Sequence, residues 1–119
     1  YKIIKDISEK HQTVILDCIT LLVNNLMFTD GIDIDNASEE EINELEAYIQ
    51  DQIKKLMEEV KKTDLYFVMV TNEIGLGVVP GYKLGRVYCD FVGRINQMLG
   101  KLSDEVYFVV CGIPTKIKG

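Results

Sequence analysis

Short apolar runs alternate with long amphipathic stretches, and this alternation is the feature that most restricts the fold. Thr13–Asp17 and Asp64–Thr71 are rich in β-branched and aromatic residues, a pattern that predicts strands buried on both faces. A third strand is predicted over residues 104–111, and a short fourth over 115–118 after Gly112-Ile113-Pro114. Each of the first two runs ends in polar residues, which suits strands whose ends face a ligand site.

The intervening segments have helical periodicity. The first ten residues read as the end of a helix, and Thr20–Phe28 as a second helix. Ser38-Glu39-Glu40-Glu41 is a capping box that starts a long helix, and a last helix is predicted from Lys83 to Leu102. Strands alternating with helices predict a single α/β domain over residues 1–119, with a mainly parallel sheet covered by helices.

Composition excludes several classes of function. The formal net charge of −6 argues against a broad nucleic-acid footprint, and no apolar run approaches the roughly 20 residues of a membrane span. Cys18, Cys89 and Cys111 cannot all pair within one chain and, with one histidine, do not supply a structural zinc site. We therefore expect buried, reduced thiols, a cytoplasmic location and no structural metal.

Polar residues follow the predicted strands, where open α/β sheets bind ligands. Three segments are expected there: 17–20, 71–75 and 111–114. Asp17 ends an apolar strand, the position at which P-loop enzymes hold an acid for nucleotide-bound magnesium. Many such residues instead cap the following helix. No complete Gly-x-x-x-x-Gly-Lys-Ser/Thr motif is present, and the stretch from Gly77 to Lys83 only imitates one.

Thr71, Asn72 and Glu73 come directly after the second strand and lead into a glycine-rich loop. Such glycines permit a positive φ or a close approach to a ligand. One interpretation is therefore a ligand-binding loop, and the alternative is a tight turn in which Asn72 and Glu73 bond neighbouring amides. The position of three polar residues at the end of a strand favours the ligand-binding interpretation.

Arg86, Asp90 and Arg94 are spaced four residues apart on the polar face of the last helix. A solvated ladder of charges explains this spacing. Gly93 lies among them at a cost to helix stability of about 1 kcal/mol, which indicates close packing, so the two arginines are also candidates to grip phosphate or a neighbouring subunit. His11 is expected at the surface or as a helix C-cap, not as a nucleophile.

Five segments together resemble the adenosylcobinamide kinase / adenosylcobinamide-phosphate guanylyltransferase family of cobalamin biosynthesis. The segments follow the order and spacing of the family, and the one from Val70 to Pro80 is the most specific. They are Val14–Leu21, Asn25–Phe28, Val70–Pro80, Gly93–Gln97 and Asp104–Pro114. The chain departs from the family pattern at Gly81-Tyr82, Cys89 and Leu22.

The resemblance implies a bifunctional enzyme with a P-loop NTPase (RecA-like) fold. Such an enzyme phosphorylates adenosylcobinamide with GTP or ATP and Mg²⁺, then transfers GMP from GTP through a guanylylated histidine. The P-loop and that histidine have no match here, and the chain opens without Met. The expectation is therefore the carboxyl-terminal two-thirds of the enzyme, lacking the first strand and the catalytic residues and inactive alone.

The resemblance assigns nucleotide binding to Asp17. It leaves six residues as candidate contacts to substrate, phosphate or a neighbouring subunit: Thr71, Asn72, Glu73, Arg86, Arg94 and Asn96. A vacant sheet position beside the first strand would favour a homo-oligomer. The alternatives are a non-catalytic binding or assembly module and an unrelated P-loop-like ATPase supported by Asp17 alone.

Overall fold

Two parallel strands form the centre of the molecule, which we describe from a computed structural model covering residues 1–119. Strand β1 spans Thr13–Asp17 and strand β2 spans Tyr66–Val70. They pair in register from their first residues to their last. Parallel neighbours require a long crossover connection, and here two helices supply it. Both strands were predicted, each within two residues of its observed ends.

Four helices accompany the strands, as predicted. They are α1 (Ile4–Ser8), α2 (Ile19–Phe28), α3 (Glu39–Lys61) and α4 (Lys83–Leu102). The capping box is confirmed, because the Glu41 N–H donates to Ser38 Oγ at 3.2 Å while Glu41 Oε2 accepts from the Ser38 N–H at 2.7 Å. None of these helices is both long enough and apolar enough to cross a membrane.

The core lies between α2, α3 and α4 and one face of the β1–β2 sheet. Its buried members are Ile19, Val23, Met27, Ile34, Ile49, Ile53, Met57, Phe91, Val92, Ile95 and Leu99. Burying each large side chain contributes about 1.5–3 kcal/mol relative to exposure. The predicted apolar face of α4 is confirmed, since Phe91 and Ile95 are among the least exposed residues of the chain.

The prediction that both strands are buried on both faces is wrong. Helices cover only the face that carries Leu16 and Met69, which pack against the core. Ile15 and Tyr66 are each 67% exposed and Val70 is 42% exposed on the other face. A continuous apolar run specifies hydrophobicity but not which element covers it.

The last two strands form a separate antiparallel hairpin, so the single, mainly parallel sheet that we predicted is wrong for this part of the chain. Strand β3 spans Val106–Val110 and β4 spans Ile113–Lys118. Only two residues join them, and such a short connection cannot link parallel strands. Those residues, Cys111 and Gly112, have φ of 50° and 73°, as a two-residue hairpin turn requires.

The hairpin lies outside the helical core, and one of its lysines hydrogen-bonds to the end of α4. Lys118 Nζ donates to the backbone carbonyls of Gly100, Lys101 and Ser103 at 2.8, 3.0 and 2.7 Å. These carbonyls lie at the carboxyl end of α4, where they have no partner within the helix. The radius of gyration, 15.5 Å, exceeds the roughly 13.5 Å of a compact chain of this length.

Candidate functional site

The carboxyl ends of β1 and β2 lie side by side. Asp17 and Val70 are partners in the last pair of the sheet, so the segments that follow them leave the sheet at one edge, which we call the carboxyl edge. This confirms the expected convergence of residues 17–20 with residues 71–75. The third expected segment, 111–114, forms the turn of the β3–β4 hairpin in a different sheet. That part of the prediction is wrong because β3 does not join β1 and β2.

Asp17 presents a free carboxylate at this edge. The residue is exposed, and its side chain takes no part in the hydrogen bonds or ion pairs of the structure. Helix α2 begins after Cys18, its N-cap residue, and no side chain caps it. The capping alternative for Asp17 is therefore wrong. A free carboxylate is a ligand that Mg²⁺ accepts, usually alongside water and substrate phosphates, so this residue suits the predicted magnesium–nucleotide site.

Thr20 connects the two strand ends. Its hydroxyl donates to Asn72 Oδ1 at 3.1 Å and lies 2.9 Å from Cys18 Sγ. Tyr88 of α4 donates to the Thr20 carbonyl at 3.4 Å. Burial raises the pKa of the Tyr88 hydroxyl, and a smaller effect of the Thr20 side chain opposes it. Thr20 lies in the expected segment 17–20, although sequence reasoning gave its side chain no role of its own, and Tyr88 was not placed in the site.

Asn96 of α4 also holds the end of β2. Its Nδ2 donates to the backbone carbonyl of Asn72 at 3.0 Å, and its Oδ1 accepts from Thr71 Oγ1 at 2.7 Å. The structure therefore brings together four of the predicted site residues: Asp17, Thr71, Asn72 and Asn96. All four lie at or beside the carboxyl edge.

Glu73 has the role that the tight-turn alternative predicted for it, since its Oε1 accepts from the Gly75 N–H at 2.7 Å. The glycines of this loop do not adopt positive φ. The glycine that allows a close approach is Gly85 in α4, where an added Cβ would lie 2.8 Å from Pro80 Cβ and from the Tyr82 ring. Sequence reasoning missed Gly85, because this contact forms only when the Pro80–Tyr82 segment folds back onto the first turn of α4.

The two arginines of α4 do not form the predicted ladder with Asp90. Arg94 makes a two-pronged contact with Glu46 of α3, in which Nη2 lies 2.9 Å from Oε2. This hydrogen bonding raises the pKa of the Arg94 guanidinium. Arg86 reaches the Pro80 carbonyl at 3.4 Å. Gly93, expected to mark close packing, has nothing of this chain within 4 Å of an added Cβ.

Two surface depressions lie away from the carboxyl edge. One, of about 740 Å³, follows the first turns of α3. The other, of about 500 Å³, is at the opposite end of the sheet and includes His11, which is exposed as predicted. The cysteines are free, as expected, but Cys111 is exposed and the other two are half-buried. The prediction that all three are buried is therefore wrong.

Fold and site together define an α/β protein with a polar site at the carboxyl ends of parallel strands, the location at which open α/β sheets bind ligands. The chain belongs to the family described as cobinamide kinase / cobinamide phosphate guanyltransferase, whose sequence model matches residues 1–117. This confirms the resemblance found in the sequence.

Individual relatives carry corresponding names. The chain is 39% identical over 108 residues to the bifunctional adenosylcobalamin biosynthesis protein CobU of Escherichia coli, covering 91% of this chain and 59% of that protein. It is 40% identical over 105 residues to CobU of Salmonella typhimurium, covering 88% and 58%. Against the protein CobP of Pseudomonas aeruginosa the identity is 29% over 112 residues, covering 94% and 57%. The matched region thus spans less than two thirds of each relative.

Proposed function

We propose that this chain serves in cobalamin biosynthesis as part of a bifunctional enzyme. That enzyme phosphorylates adenosylcobinamide with a nucleoside triphosphate and then transfers GMP from GTP to the phosphate. The family match over residues 1–117 carries the proposal. The cluster of Asp17, Asn72 and Asn96 at the carboxyl edge supports it, because nucleotide-dependent enzymes of this architecture bind their substrates there.

We assign Asp17 to the nucleotide site. Its carboxylate would hold the Mg²⁺ that accompanies the triphosphate, and the ion would neutralise charge on the phosphate oxygens. Arg86 and Arg94 remain candidates for a phosphate or subunit contact from the polar face of α4. Glu46 already holds Arg94, so a phosphate would have to displace that carboxylate.

We further propose that these 119 residues do not catalyse either reaction by themselves. Phosphoryl transfer depends on positioning and on neutralising charge, and a P-loop lysine and hydroxyl supply much of both. The sequence contains no complete Gly-x-x-x-x-Gly-Lys-Ser/Thr. Catalytic tests therefore require the complete encoded protein, whose intact mass should be measured first.

We propose a cytoplasmic homo-oligomer as the working form. The uncovered face of the β1–β2 sheet exposes Ile15, Tyr66 and Val70, and both strands have a free edge. Exposed apolar patches and free strand edges favour association. Light scattering should give a mass of more than one chain. A monomer that unfolds cooperatively at high temperature would contradict this proposal.

Substitution of Asp17 tests the assigned activity. In the complete protein, Asp17→Asn should lower GMP transfer from GTP by orders of magnitude if the carboxylate holds the metal. Asp64→Asn makes the same chemical change just before β2, at the other end of the sheet, and should leave transfer unchanged. Equal activity of the Asp17 variant and the wild-type protein would remove Asp17 from the site. ATP hydrolysis that proceeds without any corrinoid would favour an ATPase instead.

A further inference from the structure

The hydrogen bonds around Thr20 have a defined direction. Its side chain is buried, with 7% exposed. A hydroxyl carries one hydrogen, and Thr20 donates it to Asn72 Oδ1. The Cys18 thiol, 2.9 Å away, must then be the donor in its own contact with Thr20. Cys18 therefore donates to Thr20, and Thr20 donates to Asn72 Oδ1.

This direction fixes which end of the Asn72 side chain is available. Its Oδ1 faces the Thr20 hydroxyl, so its Nδ2 with two hydrogens is directed elsewhere. No group of this chain accepts from that nitrogen, and Asn72 is exposed. The residue follows β2 by two positions and lies at the carboxyl edge with Asp17, whose partner in the sheet is Val70.

Asn96 immobilises the backbone of the same residue. It donates to the Asn72 carbonyl and accepts from the neighbouring Thr71 hydroxyl. Asn96 is itself fixed, because the adjacent Ile95 is fully buried in the core. Both the main chain and the side chain of Asn72 are thus held by other elements, Asn96 from α4 and Thr20 from α2.

We propose that Asn72 is a substrate-binding residue whose Nδ2 donates to a substrate phosphate oxygen, and that Thr20 and Asn96 are positioning residues that orient it. The inference rests on the proposed function, which supplies phosphate in two forms, the nucleoside triphosphate and cobinamide phosphate. A neutral donor is sufficient at this edge for a nucleotide phosphate. The Mg²⁺ that accompanies the nucleotide would balance the negative charges of the phosphate and Asp17. A side chain oriented before binding also loses less entropy when it engages its ligand.

The test is a double-mutant cycle in the complete protein, read out as dissociation constants measured by calorimetry for GTP with Mg²⁺ and, separately, for cobinamide phosphate. Asn72→Ala should weaken binding of one of the two by roughly 10-fold or more, the effect of losing a hydrogen bond to a charged group. The ligand whose affinity falls identifies the source of the phosphate. Thr20→Val should weaken the same ligand in the wild-type background but cause no further loss when Asn72 is already alanine.

Matched variants separate positioning from stability. Thr20→Ser keeps the hydroxyl and should restore affinity, whereas Thr20→Val should not. Asn96→Ala should weaken the same ligand, while Gln97→Ala, an exposed neighbour on α4, should not. Urea unfolding of each variant shows whether it is folded under the conditions of the binding assay. If Thr20→Val does not fold, the Asn96 and Gln97 pair carries the test.

Three outcomes would overturn the inference. If the wild-type protein binds both ligands and Asn72→Ala leaves both dissociation constants unchanged, only this inference fails. If Thr20→Val weakens binding equally with and without Asn72, its effect is purely structural and Thr20 does not position Asn72. Failure of the wild-type protein to bind either ligand would overturn the proposed function together with the inference.

Discussion

Replacing Gly85 with alanine should destabilise the protein even though alanine is the better helix former. Gly85 is the third residue of α4 and is buried. An added Cβ would lie 2.8 Å from Pro80 Cβ and 2.8 Å from the edge of the Tyr82 ring. The tyrosine is largely exposed and can swing away. Pro80 Cβ belongs to a ring fixed to the backbone, so relieving that contact requires the loop to move.

The expected magnitude follows from two opposing contributions. Overpacking of this kind costs about 1–3 kcal/mol. Replacing glycine by alanine inside a helix raises the free energy of unfolding by up to about 1 kcal/mol, and by less in the first turn. Gly93→Ala is the matched control in the same helix, because its added Cβ would meet nothing within 4 Å. We expect Gly93→Ala to stabilise the chain by about 0.5–1 kcal/mol, and Gly85→Ala to be less stable than Gly93→Ala by about 1–3 kcal/mol.

Urea unfolding followed by circular dichroism measures both free energies of unfolding. The slope of free energy against urea should be the same for both variants, so that the midpoints report stability. If Gly85→Ala stabilises the protein as much as Gly93→Ala does, the close approach of α4 to the Pro80–Tyr82 segment is refuted.

Two further predictions concern capping and pH. Ser38→Ala removes the capping box at the start of α3 and should cost about 1 kcal/mol in the same urea assay, while Ser38→Asp should retain most of the stability. Hydrogen bonds from Lys116 and Tyr107 lower the pKa of Glu105. The stabilisation it gives the hairpin is therefore present above the unfolded pKa of about 4.3 and is lost as the pH falls through the lower folded value. An NMR titration of the Glu105 carboxylate should show this depressed pKa, and an ordinary pKa there, or one unaltered by Lys116→Met, would refute the contact.

The fold was predictable wherever local signals decide structure. The capping box at Ser38 and the periodic apolar residues from Lys83 to Leu102 fixed α3 and α4 because each signal lies within one element. Which elements meet was not predictable in the same way. An apolar run such as Val106–Val110 is compatible with a parallel or an antiparallel neighbour. The two-residue connection at Cys111-Gly112 decided it, and we read Gly112 as part of a longer loop.

The site was predictable to the extent that strand ends identify it. Asp17 and the residues after β2 converge because parallel strands end at one edge. The side-chain contacts were not predictable, since they join residues distant in sequence. Thr20 lies 52 positions from Asn72, and Asn96 lies 24 positions from it. Arg94 shows the opposite case, because regular spacing suggested a partner on its own helix while its actual partner, Glu46, is on α3.

Helix α4 links the site to the rest of the molecule, and its sequence accounts for this. Successive helical residues differ by about 100° in direction, so burying Ile95 in the core places the adjacent Asn96 at the boundary where β2 ends. Arg94, the residue before Ile95, faces α3 and forms an ion pair with Glu46. The first turn receives the loop at Gly85, and the last turn holds the hairpin through Lys118. A shift or rotation of this helix would therefore move Asn72, the loop and the hairpin together, so we expect substitutions that disturb the packing of α4 to change the orientation of Asn72 as well.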